Sequence, residues 1–105
     1  MGGIKIDPAL YDAVALDVIG VTDAAGFTFR DDDDIEVLAI AIVTTFGFRE
    51  QELLDSMAQA FGSRQPSMVI KVDEIPKTSM GKTIRGELTE LVERTFRQDS
   101  GDVDH

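Results

Sequence analysis

The chain has no cysteine, no tryptophan and a single histidine. Without cysteine there is no disulfide and no thiolate metal site. The one histidine is the last residue, His105. A His-based catalytic triad or a His metal cage is therefore excluded, and no metal site is expected. Positive charge is scarce: 10 Lys+Arg stand against 20 Asp+Glu, a formal net charge of −10. Binding nucleic acid through its phosphates needs clustered positive charge, so nucleic acid is excluded as a partner. An anionic membrane surface is disfavoured for the same reason. No apolar run approaches the ~18 residues that cross a bilayer. The first residues show no basic segment followed by a continuous apolar one, so no signal peptide is read. A soluble, cytoplasmic protein is the expectation.

What is present is an ordinary folding composition, 43% hydrophobic and 29% charged over 105 residues. That length allows one domain with one modest core, at most two layers thick. The charge is unevenly placed. Residues 1–63 hold 3 basic and 12 acidic side chains, residues 64–97 hold 7 and 5, and residues 98–105 add three Asp. A site for a phosphate or carboxylate belongs in the mildly basic stretch 64–97.

Along the chain, Ile4-Lys5-Ile6 alternates like a short extended segment, and Asp7-Pro8 suits the start of a helical turn. Val14, Leu16 and Val18 alternate, which predicts a strand over 14–21, followed by turn residues 22–26. Phe27 to Asp34 (FTFRDDDD) reads as a connection. Its four aspartates repel one another and favour solvent, and they lack the spacing and glycine of a Ca²⁺ loop. Ile35–Thr44 is apolar on both faces and β-branched, the pattern of a central strand covered on both sides. Leu53, Leu54, Met57, Ala60 and Phe61 recur at helical spacing, with Gly62 as the stop. Met68–Val72 is a short strand and 73–83 a polar loop. Ile84, Leu88, Leu91, Val92 and Phe96 then lie on one helical face. The expected fold is α+β, a small three-stranded sheet with two main helices. It occupies residues 1–97 as a single domain, and 98–105 form an acidic disordered tail.

The most informative stretch is Val72–Arg85, VDEIPKTSMGKTIR. Pro76 stiffens the exit from a strand, Gly81 permits a tight turn, and Lys82 projects from it. Its ammonium is a compact charge suited to phosphate and carboxylate oxygens, beside a helix start that also favours anions. On composition alone the favoured reading is a solvated loop lysine. It is not a P-loop, because only Gly-Lys-Thr at 81–83 is shared. Leu54-Asp55-Ser56-Met57 looks like a carrier-protein attachment site. However, Ser56 lies inside an amphipathic helix instead of opening one.

Asp73 to Arg85 resembles the closing signature of the adenylate-forming (AMP-binding) enzymes, which include acyl-CoA synthetases and non-ribosomal peptide adenylation domains. Pro76, Lys77, Thr78, Gly81, Lys82 and Arg85 each match that pattern. Gly20-Val21-Thr22-Asp23 looks like the family's strand ending in Gly-Val-Pro-Asp, and Gly2-Gly3 with Ile6-Asp7-Pro8 like the segment after its interdomain hinge. The resemblance covers residues 2 to about 97 and concerns the small C-terminal domain alone. The helix after Pro8 reads as shortened to 9–13, and the connection through Asp31–Asp34 as longer and more acidic than is usual in the family.

The resemblance implies a catalytic role for Lys82, touching the substrate carboxylate and α-phosphate. It implies that Pro76, Lys77, Thr78 and Gly81 frame that lysine. It also implies that Gly2 and Gly3 form a thiol-channel segment. ATP with Mg, and CoA or a carrier pantetheine, would be bound mainly by a separate large AMP-binding domain protein, with an acyl or peptidyl carrier protein as a further partner. The expectation is the small catalytic part of a split, AMP-forming acid–thiol ligase, inactive alone. The alternative is a non-catalytic docking or regulatory module derived from that domain, using Asp31–Asp34.

Overall fold

The computed structural model describes residues 7–102, with side chains to residue 95. Gly2 and Gly3 lie outside the described residues. The elements are α1 (Ala9–Leu16), β1 (Val21–Arg30), β2 (Glu36–Thr44), α2 (Glu50–Phe61), β3 (Met68–Lys71) and α3 (Arg85–Asp102). A single 3₁₀ turn, Gly62–Arg64, follows α2. The sheet order is β1-β2-β3, antiparallel between β1 and β2 and parallel between β2 and β3.

β2 is central because its residues are apolar on both faces. Ile40 and Ile42 pack with Tyr11, Ala15 and Val18 of the α1 region and with Leu53 and Met57 of α2. Ala39 and Ala41 face the other way, among Phe27, Phe29, Leu88 and Val92. The sheet is thus covered by α1 and α2 on one side and α3 on the other. This makes three layers, where two were expected. A strand whose alternate residues feed two cores can lie only between two layers.

The largest departure from expectation is over residues 9–30. The strand expected at 14–21 is helix α1 and its exit, and the turn expected at 22–26 is the first half of β1. Tyr11, Ala15 and Val18 are the buried positions, a helical spacing and not an alternating one. The turn into the helix starts at Asp7, whose Oδ1 accepts the Ala9 N–H at 3.0 Å, with Pro8 as the N-cap and Ala9 the first helical residue, one position later than expected. The helix extends to Leu16, beyond the shortened 9–13. Ala24, Ala25 and Gly26 are small because α1 packs close to this strand. A Cβ on Gly26 would stand 2.6 Å from the Pro8 carbonyl oxygen. α3 continues past residue 97 to Asp102, into the stretch expected as a tail.

β1 has one side free of strand pairing, and side chains occupy it. The Gly26 N–H donates to Asp12 Oδ1 at 2.7 Å, and its carbonyl accepts from Arg85 Nη1 at 2.8 Å. The Thr28 carbonyl accepts from Thr89 Oγ1 at 2.6 Å, and the Arg30 N–H donates to Glu93 Oε2 at 3.0 Å. Helix steps of four residues meet strand steps of two, because four helical rises (about 6 Å) nearly equal two strand rises. α3 is stitched along β1 on that coincidence. Among the described residues no helix is long and apolar enough to cross a membrane.

Candidate active site

The loop that follows β3 is built from its base outward. Val72 N–H bonds Ile42 O at 2.9 Å, prolonging the parallel pairing by one residue. Ile75, 5% exposed, plugs the core beneath α3 and fixes the loop to the body. Ile84 N–H then returns to Pro76 O at 2.9 Å, and Lys77 pairs antiparallel with Thr83. Residues 77–83 are therefore a small hairpin.

Its tip is held by Thr78 and Gly81. Thr78 N–H donates to Lys82 O at 2.8 Å, and Gly81 N–H to Thr78 O at 2.9 Å. The Thr78 hydroxyl oxygen accepts both Met80 N–H (3.2 Å) and Lys82 N–H (3.1 Å). Gly81 takes φ +86°, a left-handed conformation that costs a side-chain-bearing residue about 1–2 kcal/mol. The sequence reading of Gly81 as the turn-maker agrees with this geometry.

The three cations of the motif have different surroundings. Lys77 Nζ lies 2.8 Å from Asp23 Oδ2. Arg85 is half-buried and grips Asp12 with both Nη atoms (2.9 and 3.2 Å) while also holding Gly26 O. Lys82 is exposed, and among the described residues it has no ion pair. Of the motif's cations, only Lys82 is available to an outside anion.

Among the described residues the groove beside this hairpin is acidic. The groove there, of about 710 Å³, is lined by Asp23, Asp73, Glu74 and Glu87, with Lys77 already paired. Four carboxylates repel a triphosphate. Among the described residues no group of three or more His, Asp or Glu is placed to hold a metal ion.

Two other sequence candidates resolve differently. Asp31–Asp34 is the β1–β2 turn, with Asp31 Oδ1 accepting from Asp33 N–H (2.9 Å) and Ile35 N–H (3.0 Å). It stands at the far end of the strand pair from Lys82, since Arg30 pairs with Glu36 whereas Asp23 pairs with Val43. Ser56 lies within α2, beside the buried Met57. Sequence reasoning missed Asp12 and Asp23, whose partners lie 73 and 54 residues away in the chain.

No protein-family model matches the chain. The oxalate–CoA ligase of Saccharomyces cerevisiae is 31% identical over 102 residues, 94% of this chain and 19% of that protein. The medium/long-chain fatty acid–acyl carrier protein ligase FadD10 of Mycobacterium tuberculosis is 30% identical over 95 residues, 83% of this chain and 18% of its own. Among solved structures, an acyl-CoA synthetase of Brucella canis matches with a TM-score of 0.75 at 25% identity, over 89% of this chain and 18% of that one. The chain resembles the small C-terminal domain of adenylate-forming enzymes. It spans about a fifth of the length of the curated relatives it matches.

The fold is the α+β one expected from sequence, with α1 longer than the shortened helix expected at 9–13 and standing beside the two main helices. The stretch likened to a strand ending in Gly-Val-Pro-Asp is the start of β1, so Gly20 opens the strand and does not close one. Gly20 sits at φ +88° with Phe48 against it, where a Cβ would meet the Phe48 backbone at 2.5 Å.

Proposed function

We propose that this chain supplies the lysine of an AMP-forming acyl ligase, acting in trans on ATP and a carboxylic acid held by a separate large domain. In that reaction a carboxylate oxygen attacks the α-phosphorus and the bond to pyrophosphate breaks. The acyl-adenylate and pyrophosphate form with no proton transferred. Two anions must approach, and negative charge builds on the bridging oxygens. A cation fixed at that point stabilises the charge as it develops.

One observation carries the reading. Among the described residues Lys82 has no ion pair on a hairpin closed by Lys77 and Thr83, while its neighbours Lys77 and Arg85 are bound to Asp23 and Asp12. A solvated loop has no need of a turn tied at Thr78 and Gly81. Mg²⁺ would accompany ATP with ligands from the nucleotide and the large domain. Transfer of the acyl group to CoA or to a carrier pantetheine would follow on the same partner.

The test is reconstitution. The chain alone should form no acyl-adenylate. Mixed with a large domain lacking its own small domain, it should support carboxylate-dependent pyrophosphate release. Lys82→Ala should lower that rate about 10²–10³-fold, the scale for losing one charge-stabilising contact. Full activity with Lys82→Ala would refute the catalytic role and leave a docking module.

A further inference from the structure

We propose that Asp23 is a positioning residue for Lys82, acting through Lys77. This rests on the reading of Lys82 given above and adds a member that lies far from the motif in sequence.

The Asp23 carboxylate is held at both oxygens. Oδ1 accepts the N–H of Ala24, at 2.9 Å, which pins the side chain to its own strand. Oδ2 meets Lys77 Nζ at 2.8 Å. Asp23 follows an irregularity in the β1–β2 register between Val21 and Asp23. Such an irregularity re-aims the side chains that follow it.

Lys77 is the base of the Lys82 hairpin. It pairs with Thr83, which directly follows Lys82, and it directly precedes Thr78, whose hydroxyl holds the Lys82 N–H. Residues 78–82 are all exposed. The tip therefore inherits its position from this base rung and from the Pro76–Ile84 bond below it. Among the described residues, the Asp23–Lys77 pair is the only ion pair that ties this hairpin to the sheet. The pair has a second effect: an ammonium bound to Asp23 cannot compete with Lys82 for the incoming anion.

The experiment reads the coupling first in the full chain alone, by amide hydrogen exchange. Asp23→Asn should speed exchange at Thr78 and Gly81 about 3- to 5-fold, the scale for losing one partly exposed ion pair. Amides of α2 should be unchanged, which shows the fold intact. Lys77→Met should give the same acceleration, and the double variant no more than either single one, since both remove one interaction. In the reconstituted reaction Asp23→Asn should lower kcat several-fold and leave the carboxylate KM in place.

Unchanged exchange at Thr78 and Gly81, or single-variant effects that add, overturns the proposal whatever Lys82 does. Accelerated exchange together with full activity of Lys82→Ala overturns the catalytic reading and leaves the Asp23–Lys77 coupling standing. The two failures are therefore distinguishable.

Discussion

Arg85 and Asp12 face each other across 73 residues of sequence, with Nη2 2.9 Å from Oδ2 and Nη1 3.2 Å from Oδ1. Their side chains are 29% and 19% exposed, and both also bind the backbone of Gly26. The pair joins α1, β1 and α3. Removing Arg85 strands the half-buried Asp12 carboxylate and takes the side-chain partner from the Gly26 carbonyl. Arg85→Ala should therefore lower the unfolding free energy by about 2–3 kcal/mol in urea titration. Arg85→Lys should recover less than half of that, because an ammonium cannot reach both carboxylate oxygens and a carbonyl in one plane. A loss below about 0.5 kcal/mol would remove this pair from the account of stability.

The side chains along the free side of β1 do more than hold α3. An unprotected strand edge is a template for pairing with another chain. Thr89→Val together with Glu93→Ala frees the Thr28 carbonyl and the Arg30 N–H. The double variant should self-associate with rising concentration in size-exclusion chromatography with light scattering, while the parent chain elutes unchanged. A monomeric double variant over the same range counts against a protective role for these two side chains.

Two glycines should answer the same substitution with opposite sign. Gly26→Ala drives a methyl to 2.6 Å from the Pro8 oxygen and should cost about 1–3 kcal/mol, as overpacking does. Gly86 lies in the first turn of α3, and a methyl added there would meet nothing within 4 Å. Gly86→Ala should raise stability by about 0.4–1 kcal/mol, by lowering the freedom of the unfolded chain. Thermal melts of the two variants decide both signs.

At the hairpin tip, Thr78→Val keeps the shape and deletes the oxygen that accepts from Met80 and Lys82. Exchange at those two amides should quicken, and Thr78→Ser should restore it. Gly81→Ala meets open space but must take φ +86°, so its cost of about 1–2 kcal/mol is conformational. Gly81→Asn should lose less, since asparagine tolerates that region better. Equal melting temperatures for the alanine and asparagine variants would contradict this.

Much of the fold was legible where one signal dominated. β2 declared itself by being apolar on both faces, α2 by Leu53 and Met57 at helical spacing, and the tight turn by Gly81; that 73–83, read as a polar loop, closes into a hairpin was not legible. The stretch 9–30 was misread because local propensity and tertiary fit diverge there. Val14, Leu16 and Val18 alternate in sequence, yet Tyr11, Ala15 and Val18 are what the core receives. Ala24, Ala25 and Gly26 look like turn residues, but they are small because α1 packs close to the strand. The framing of Lys82 was legible only in part for the same reason. Asp12 carries no local signal and Asp23 was legible only as the end of the Gly20–Asp23 stretch; the meaning of both comes from the partners that folding brings to them.

The β1–β2 pair carries carboxylates at both ends. Four aspartates cap one end, and Asp23, Asp73, Glu74 and Glu87 line the groove at the other, beside the hairpin. A free polyanion is therefore repelled along the whole length of the pair. Salt screens that repulsion, over about 8 Å at physiological ionic strength, so it should speed an encounter with a free polyanion and not slow it.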